Sequence, residues 1–111
     1  MMELRRTMHL MNSPDYKERF VAEYWQTKIR YEKLKLFNTR IEAALRTACV
    51  GSHGKSVEEP KHDCPQDLLV EQQSAMGRYL HILELRAIIE GIDLERCMEE
   101  NAVQHAPISI S

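Results

Sequence analysis

Four residues able to ligate a metal or react as nucleophiles bracket one polar stretch: Cys49, His53, His62 and Cys64. They read C-x3-H followed by H-x-C. Thiolate and imidazole are ordinary zinc ligands, and a shared ion would tie the two flanking segments together. The order and the H-x-C spacing match no common structural zinc site. A Cys49–Cys64 disulfide is the other linkage to weigh, and a free thiol at each segment end is the plainer reading. No metal and no cofactor are therefore expected. Gly54-Lys55-Ser56 has the end of a phosphate loop but not its spacer, because Gly51 stands too close and a helical pattern precedes it. It reads as linker. Catalysis by Cys64 or Cys97 would need a base held beside the thiol, and the sequence offers no such arrangement. His81 falls on a polar strip of a helix. The chain is not expected to be an enzyme.

The remaining chemistry is cationic and aromatic. Arg30, Lys33 and Arg40 share one helix edge, and Arg78 and Arg86 lie on a second helix. Arginine forks match phosphate oxygens, and Tyr or Trp rings stack on bases. A charge row beside an apolar seam also serves simply to solvate a helix. The net charge of −2 predicts no attraction to duplex nucleic acid or to an anionic membrane. Three cysteines without a CxxC pair indicate a reducing compartment. No run approaches the roughly 18 apolar residues of a membrane span, and the basic start lacks the apolar stretch of a secretory signal.

These residues must be positioned by helices. The 111 residues suffice for one domain, and Gly and Pro fall outside the long periodic stretches. Ser13-Pro14-Asp15 opens a helix, with Ser13 as cap and Pro14 in the first turn. The helix is predicted over about residues 14–49, on the order of 50 Å long. Residues 50–63 form a polar loop. Cys64-Pro65 opens a second helix over about 64–90, with Asp63 or Cys64 as cap, and Gly91 stops it. A short third helix is expected over about 93–101. Residues 1–12 read as a flexible N-terminal segment, 13–101 as a helical-hairpin domain and 102–111 as a disordered tail. The fold class is all-α: two long antiparallel helices in a coiled-coil-like hairpin, plus the short third helix.

Each long helix carries more apolar surface than one neighbour covers. Tyr16, Phe20, Tyr24, Thr27, Tyr31, Leu34, Asn38, Ile41 and Leu45 form one stripe, with coiled-coil spacing. Val21, Trp25, Ile29, Leu36 and Ala43 form another, roughly opposite. On the second helix Leu69, Met76, Leu80, Leu83 and Ala87 form a stripe. Leu68, Ala75, Tyr79, Ile82 and Ile89 widen it to an arc of roughly 200°, more than a surface helix needs. A lone hairpin would leave several large side chains in water, each worth roughly 1.5–3 kcal/mol when buried. A homo-oligomer is expected, with Val21, Trp25, Ile29, Leu36, Tyr79, Ile82 and Ile89 at its interface. The alternative is that the short third helix and the N-terminal segment cover these second faces.

Two stretches carry a resemblance. One is Asp15-Tyr16-Lys17-Glu18-Arg19-Phe20, continuing through Glu23-Tyr24, Lys28 and Arg30-Tyr31-Glu32-Lys33-Leu34. The other begins at Cys64-Pro65 and runs through Leu68-Leu69, Gln72-Gln73, Ala75-Met76-Gly77, Tyr79-Leu80, Leu83-Glu84 and Arg86-Ala87 to Ile89-Glu90-Gly91-Ile92-Asp93-Leu94. Together they resemble small proteins encoded by phages and prophages of gut Firmicutes and by crAss-like phages. More distantly, the layout resembles the helical-hairpin domain of phage anti-CBASS and anti-Thoeris sponges. That resemblance implies an oligomer that sequesters a cyclic nucleotide or cyclic ADP-ribose signal between protomers, without cleaving it, in the cytoplasm of an infected or lysogenic bacterium. No binding residue is carried over from it. The candidate ligand residues are chosen by chemistry: Tyr16 to stack, and Arg19, Lys28, Arg78 and Arg86 for phosphate. The alternative is a protein-binding module, an anti-CRISPR-like inhibitor or small structural factor, whose Trp25–Ile29–Leu36 face docks on a host defence protein or another partner.

Overall fold

The computed structural model describes residues 3–48 and 58–95. Over these residues the protein is all-helical, with three helices and no strand: α1 (Leu4–Met11), α2 (Tyr16–Ala48) and α3 (Gln66–Glu90). Cys49, His53 and Gly54-Lys55-Ser56 lie outside the described residues, as do Cys97, most of the expected third helix and the tail. No helix among the described residues is long and apolar enough to cross a membrane.

The helix ends follow local chemistry, with small shifts from expectation. Asp15, not Ser13, caps α2. Its Oδ1 accepts from the Lys17 amide at 3.0 Å, and its carbonyl accepts from the Glu18 and Arg19 amides. Ser13 Oγ instead accepts from the Asp15 amide, holding the turn before the cap. Pro65 sits one step outside α3 rather than in its first turn, its carbonyl accepting from the Leu68 and Leu69 amides. Gly91 ends α3 as expected. Its φ of +73° is left-handed, and the Ile92 amide reaches back to the Ala87 carbonyl at 2.8 Å. That six-to-one bond is the Schellman closure, and it turns Ile92 into the core.

The chain divides into two compact units, Met1–Ile29 with Leu80–Ser111, and Arg30–Tyr79. In the first, the start of α2 runs antiparallel to the end of α3, and Phe20, Val21, Tyr24, Trp25, Leu80, Leu83, Ala87 and Ile92 are buried. The Tyr24 hydroxyl donates to the Glu84 carboxylate at 2.7 Å. In the second, the end of α2 runs antiparallel to the start of α3. Here Ile41 and Ala44 are buried beside a polar residue, Asn38. Asn38 Nδ2 donates to the Leu69 carbonyl and to Gln73 Oε1, at 3.1 and 2.9 Å. The Tyr31 ring lies over Gly77, 3.4 Å from where a β-carbon would stand, so the small residue admits the ring.

Two expectations are corrected. The N-terminal segment read as flexible contains α1. Thr7 of α1 is fully buried, its hydroxyl donating to the Leu4 carbonyl and accepting from Gln26 of α2. And the Trp25 face is not left for a partner. The Trp25 indole donates to the Leu94 carbonyl at 2.7 Å, and the side chain is 6% exposed. Val21 is buried too, so these two residues cannot form an exposed oligomer interface. In this unit the N-terminal helix reaches Gln26 and the Leu94 carbonyl reaches Trp25. Ile29 is half-buried, whereas Leu36, Tyr79, Ile82 and Ile89 are exposed.

Candidate ligand-binding site

Antiparallel pairing in the first unit brings the first turn of α2 to the last turns of α3. On α2, Tyr16 and Phe20 are four residues apart and share a face; on α3, Arg86 and Glu90 do the same. The four side chains meet. The Tyr16 hydroxyl donates to Glu90 Oε1 at 3.0 Å and accepts from Arg86 Nη2. Arg86 Nε donates to Glu90 Oε2 at 3.1 Å. The guanidinium lies 5.0 Å from the centre of the Phe20 ring, and the Tyr16 ring meets Phe20 edge-on at 6.1 Å. Phe20 is buried, and its ring face carries the cation. Tyr16 and Arg86 remain open to solvent.

The electrostatics are those of a tightly coupled cation, phenol and carboxylate. Partial desolvation and the bond to Glu90 raise the Tyr16 hydroxyl above its ordinary range, against the pull of Arg86. The bond to Glu90 holds Arg86 still more firmly protonated. The negative charge of Glu23 reaches both groups. The result is a guanidinium fork seated on the Phe20 ring, its side edge taken up by Glu90 and Tyr16; the oxyanion geometry that such an edge matches is here filled by a carboxylate.

The five candidate ligand residues do not converge. Tyr16 and Arg86 touch. Arg19 turns back, its Nη1 donating to the Ser13 carbonyl at 2.8 Å. Lys28 lies about 18 Å further along α2 than Tyr16, by helical rise. Arg78 is exposed on the part of α3 that belongs to the other unit. Phe20 and Glu90 complete the cluster and were not anticipated as site residues. The signal for them was the pair of four-residue spacings, Tyr16–Phe20 and Arg86–Glu90, at opposite ends of the two helices.

In the second unit, His62 is fully engaged. Its Nδ1 meets the Cys64 carbonyl at 2.8 Å, its Nε2 meets Glu59 Oε2 at 2.9 Å, and its ring packs edge-on against Phe37. Both partners are acceptors, so the imidazolium, with two N–H donors, satisfies both. Cys64 is an exposed free thiol. No group of three or more His, Cys, Asp or Glu is placed to hold a metal among the described residues.

A family model described as Sequestin matches residues 14–89. No curated protein and no solved structure matches the chain. The matched segment takes in α2, the connecting segment and all but the last residue of α3, and it leaves α1 outside.

Proposed function

The chain belongs to the Sequestin family, and from that premise we propose that it binds a cyclic nucleotide immune signal and withholds it without cleaving it. The observation that carries this reading is the Arg86–Tyr16–Phe20 cluster: a guanidinium fork seated on the Phe20 ring and a phenol for phosphate, with the exposed Tyr16 ring as the aromatic surface for a base. Sequestration needs affinity only, and the cluster holds donors and a platform without a nucleophile backed by a base. The setting proposed is the cytoplasm of an infected or lysogenic bacterium, with the protein acting as a phage counter-defence factor.

The finer architecture proposed is the helical hairpin expected from the sequence, paired with a second copy. Its support is the apolar row left on α3 in the first unit. Ile82, Leu85 and Ile89 recur at coiled-coil spacing and are exposed, Ile89 by 80%. With Val21 and Trp25 covered, this row replaces them as the core of the interface. The same row favours a second reading, a module that docks on a partner protein such as a host defence component.

A thermal-shift panel of cyclic di- and trinucleotides and cyclic ADP-ribose isomers tests the primary reading. A bound compound raises the melting temperature by mass action, and Arg86→Ala abolishes the rise. No rise with any of them at saturating concentration would remove the reading. Light scattering with Ile82→Glu and Ile89→Glu tests the pairing: the wild-type chain is a dimer or larger and the variant a monomer. A wild-type monomer that captures a different protein in stoichiometric amounts would instead establish the second reading.

A further inference from the structure

We propose that Glu90 is a built-in occupant of the anion site, seated where a ligand phosphate must sit, so that binding proceeds by displacing it. The inference rests on reading Arg86 and Tyr16 as the ligand's donors.

An ionised carboxylate only accepts hydrogen bonds, and it presents its oxygens much as two oxygens of a phosphate do. Glu90 divides them between the two donors in question: Oε1 takes the Tyr16 hydroxyl and Oε2 takes Arg86 Nε. The hydroxyl has one proton, and because Tyr16 accepts from Arg86 Nη2, that proton is directed at Glu90. Nε and Nη2 form the side edge of the guanidinium, one of the edges that can grip an oxyanion with two parallel bonds. Both are spent internally. A phosphate therefore cannot use the Tyr16 proton and this edge while Glu90 remains in place.

The same geometry shows why the site would survive the exchange. Arg86 is also held by the Phe20 ring beneath it, so its position does not depend on Glu90 alone. The Glu90 side chain is 31% exposed and that of Arg86 46% exposed, so the carboxylate can move into water at small cost. The nearby Glu23 adds negative charge beside the fork, so an incoming anion must displace Glu90 through its own bonds to Arg86 and Tyr16 rather than through general attraction.

The test is a titration of the full isotope-labelled chain with inorganic phosphate, read by NMR at the Arg86 Nε–Hε signal. Glu90→Gln, which keeps the shape and removes the charge, is expected to tighten phosphate binding roughly two- to fivefold, the scale of a half-exposed ion pair. Glu90→Ala should change affinity in the same direction, Arg86→Ala should lose it, and circular dichroism should show each variant folded. Unchanged or weaker binding in both Glu90 variants would overturn the proposal, since Glu90 would then be positioning Arg86 rather than occupying its site. No response at Arg86 in any chain would overturn it as well. Tighter phosphate binding without any nucleotide shift would sink the signal-binding reading and leave the occupant. A nucleotide shift that Arg86→Ala abolishes, without a gain in the Glu90 variants, would do the reverse.

Discussion

The two units are built from halves of the same two helices, yet they close their cores differently. In the first, two more pieces of structure reach α2: α1 through Thr7 and Gln26, and the Leu94 carbonyl that takes the Trp25 indole, while the turn after α3 buries Ile92. In the second, the described residues of the two helix segments and the 58–64 strap bury Ile41, Ala44 and the amide of Asn38. Asn38 Oδ1 is buried with no hydrogen-bond partner, a cost the first unit does not show among its described residues. Amphipathic period alone did not decide burial. In the first unit it was a further element, reaching the second face of α2, that decided it.

The largest effect expected from this contrast is at Trp25. Trp25→Ala removes a buried indole and its hydrogen bond, and should cost about 3–5 kcal/mol. Hydrogen exchange should show the loss as lower protection in residues 16–29 and 80–92, measured beside the thermal melt. If the melt barely moved, the terminal segments would not be closing that unit, and the distinction between the two would fall.

Asn38 tests the second unit from the other side. Asn38→Leu removes the unpartnered oxygen and fills the seam with apolar volume, so it should raise stability by about 1 kcal/mol, measured by chemical denaturation. The polar residue also ties α2 to α3 at one register through Leu69 and Gln73. The variant is therefore expected to show broader amide signals in residues 66–76 despite its higher midpoint. A lower midpoint would mean that the Asn38 bonds outweigh the buried oxygen.

Gly91 carries a smaller expectation in the first unit. Its φ of +73° suits glycine, and nothing lies within 4 Å of an added β-carbon. Gly91→Ala therefore meets backbone strain and no clash, and should cost about 1 kcal/mol. Because Gly91 aims Ile92 and the chain beyond it, indole fluorescence of Trp25 should redden if the turn opens. A cost with no change at Trp25 would confine the effect to the helix end.

These cases show what the sequence could and could not disclose. The long helices, the stop at Gly91 and the seam through Phe20, Tyr24, Asn38 and Ile41 follow from period and turn chemistry. The role of α1 was not legible, because its buried residue is a threonine while Leu4, Met8 and Met11 point to solvent. The helix does have an apolar row, but that row faces solvent, so its spacing points away from the polar contact that docks it. Trp25 was misplaced for a related reason: helical spacing tells which residues share a face, and the groups covering that face are a glutamine–threonine pair and a backbone carbonyl. In the candidate site, Arg86 and Tyr16 were legible as chemistry. Their meeting was not, since it needs the register of α2 against α3, and neither was the part of Glu90, which reads as the end of a helix.

The smallest expected effect concerns His62 and belongs to the second unit alone. The Glu59 bond, and next the Cys64 carbonyl, raise its pKa above the ordinary 6.5, while Asp63 adds a weaker pull in the same direction. A raised folded-state value means that the protonated ring favours the folded arrangement. The stabilisation is complete below pH 6.5 and fades as pH rises through the raised folded value. Above it the neutral ring has one donor for two acceptors, so one of its bonds to Glu59 and the Cys64 carbonyl is lost and the ring that packs on Phe37 is held less firmly. Amide exchange in residues 33–41, corrected for intrinsic rate, should therefore quicken across that window, with residues 16–29 unaffected. His62→Gln should flatten the dependence. If protection in the second unit instead grew with pH, the folded arrangement would favour the neutral ring, and the Glu59 bond would not be raising its pKa.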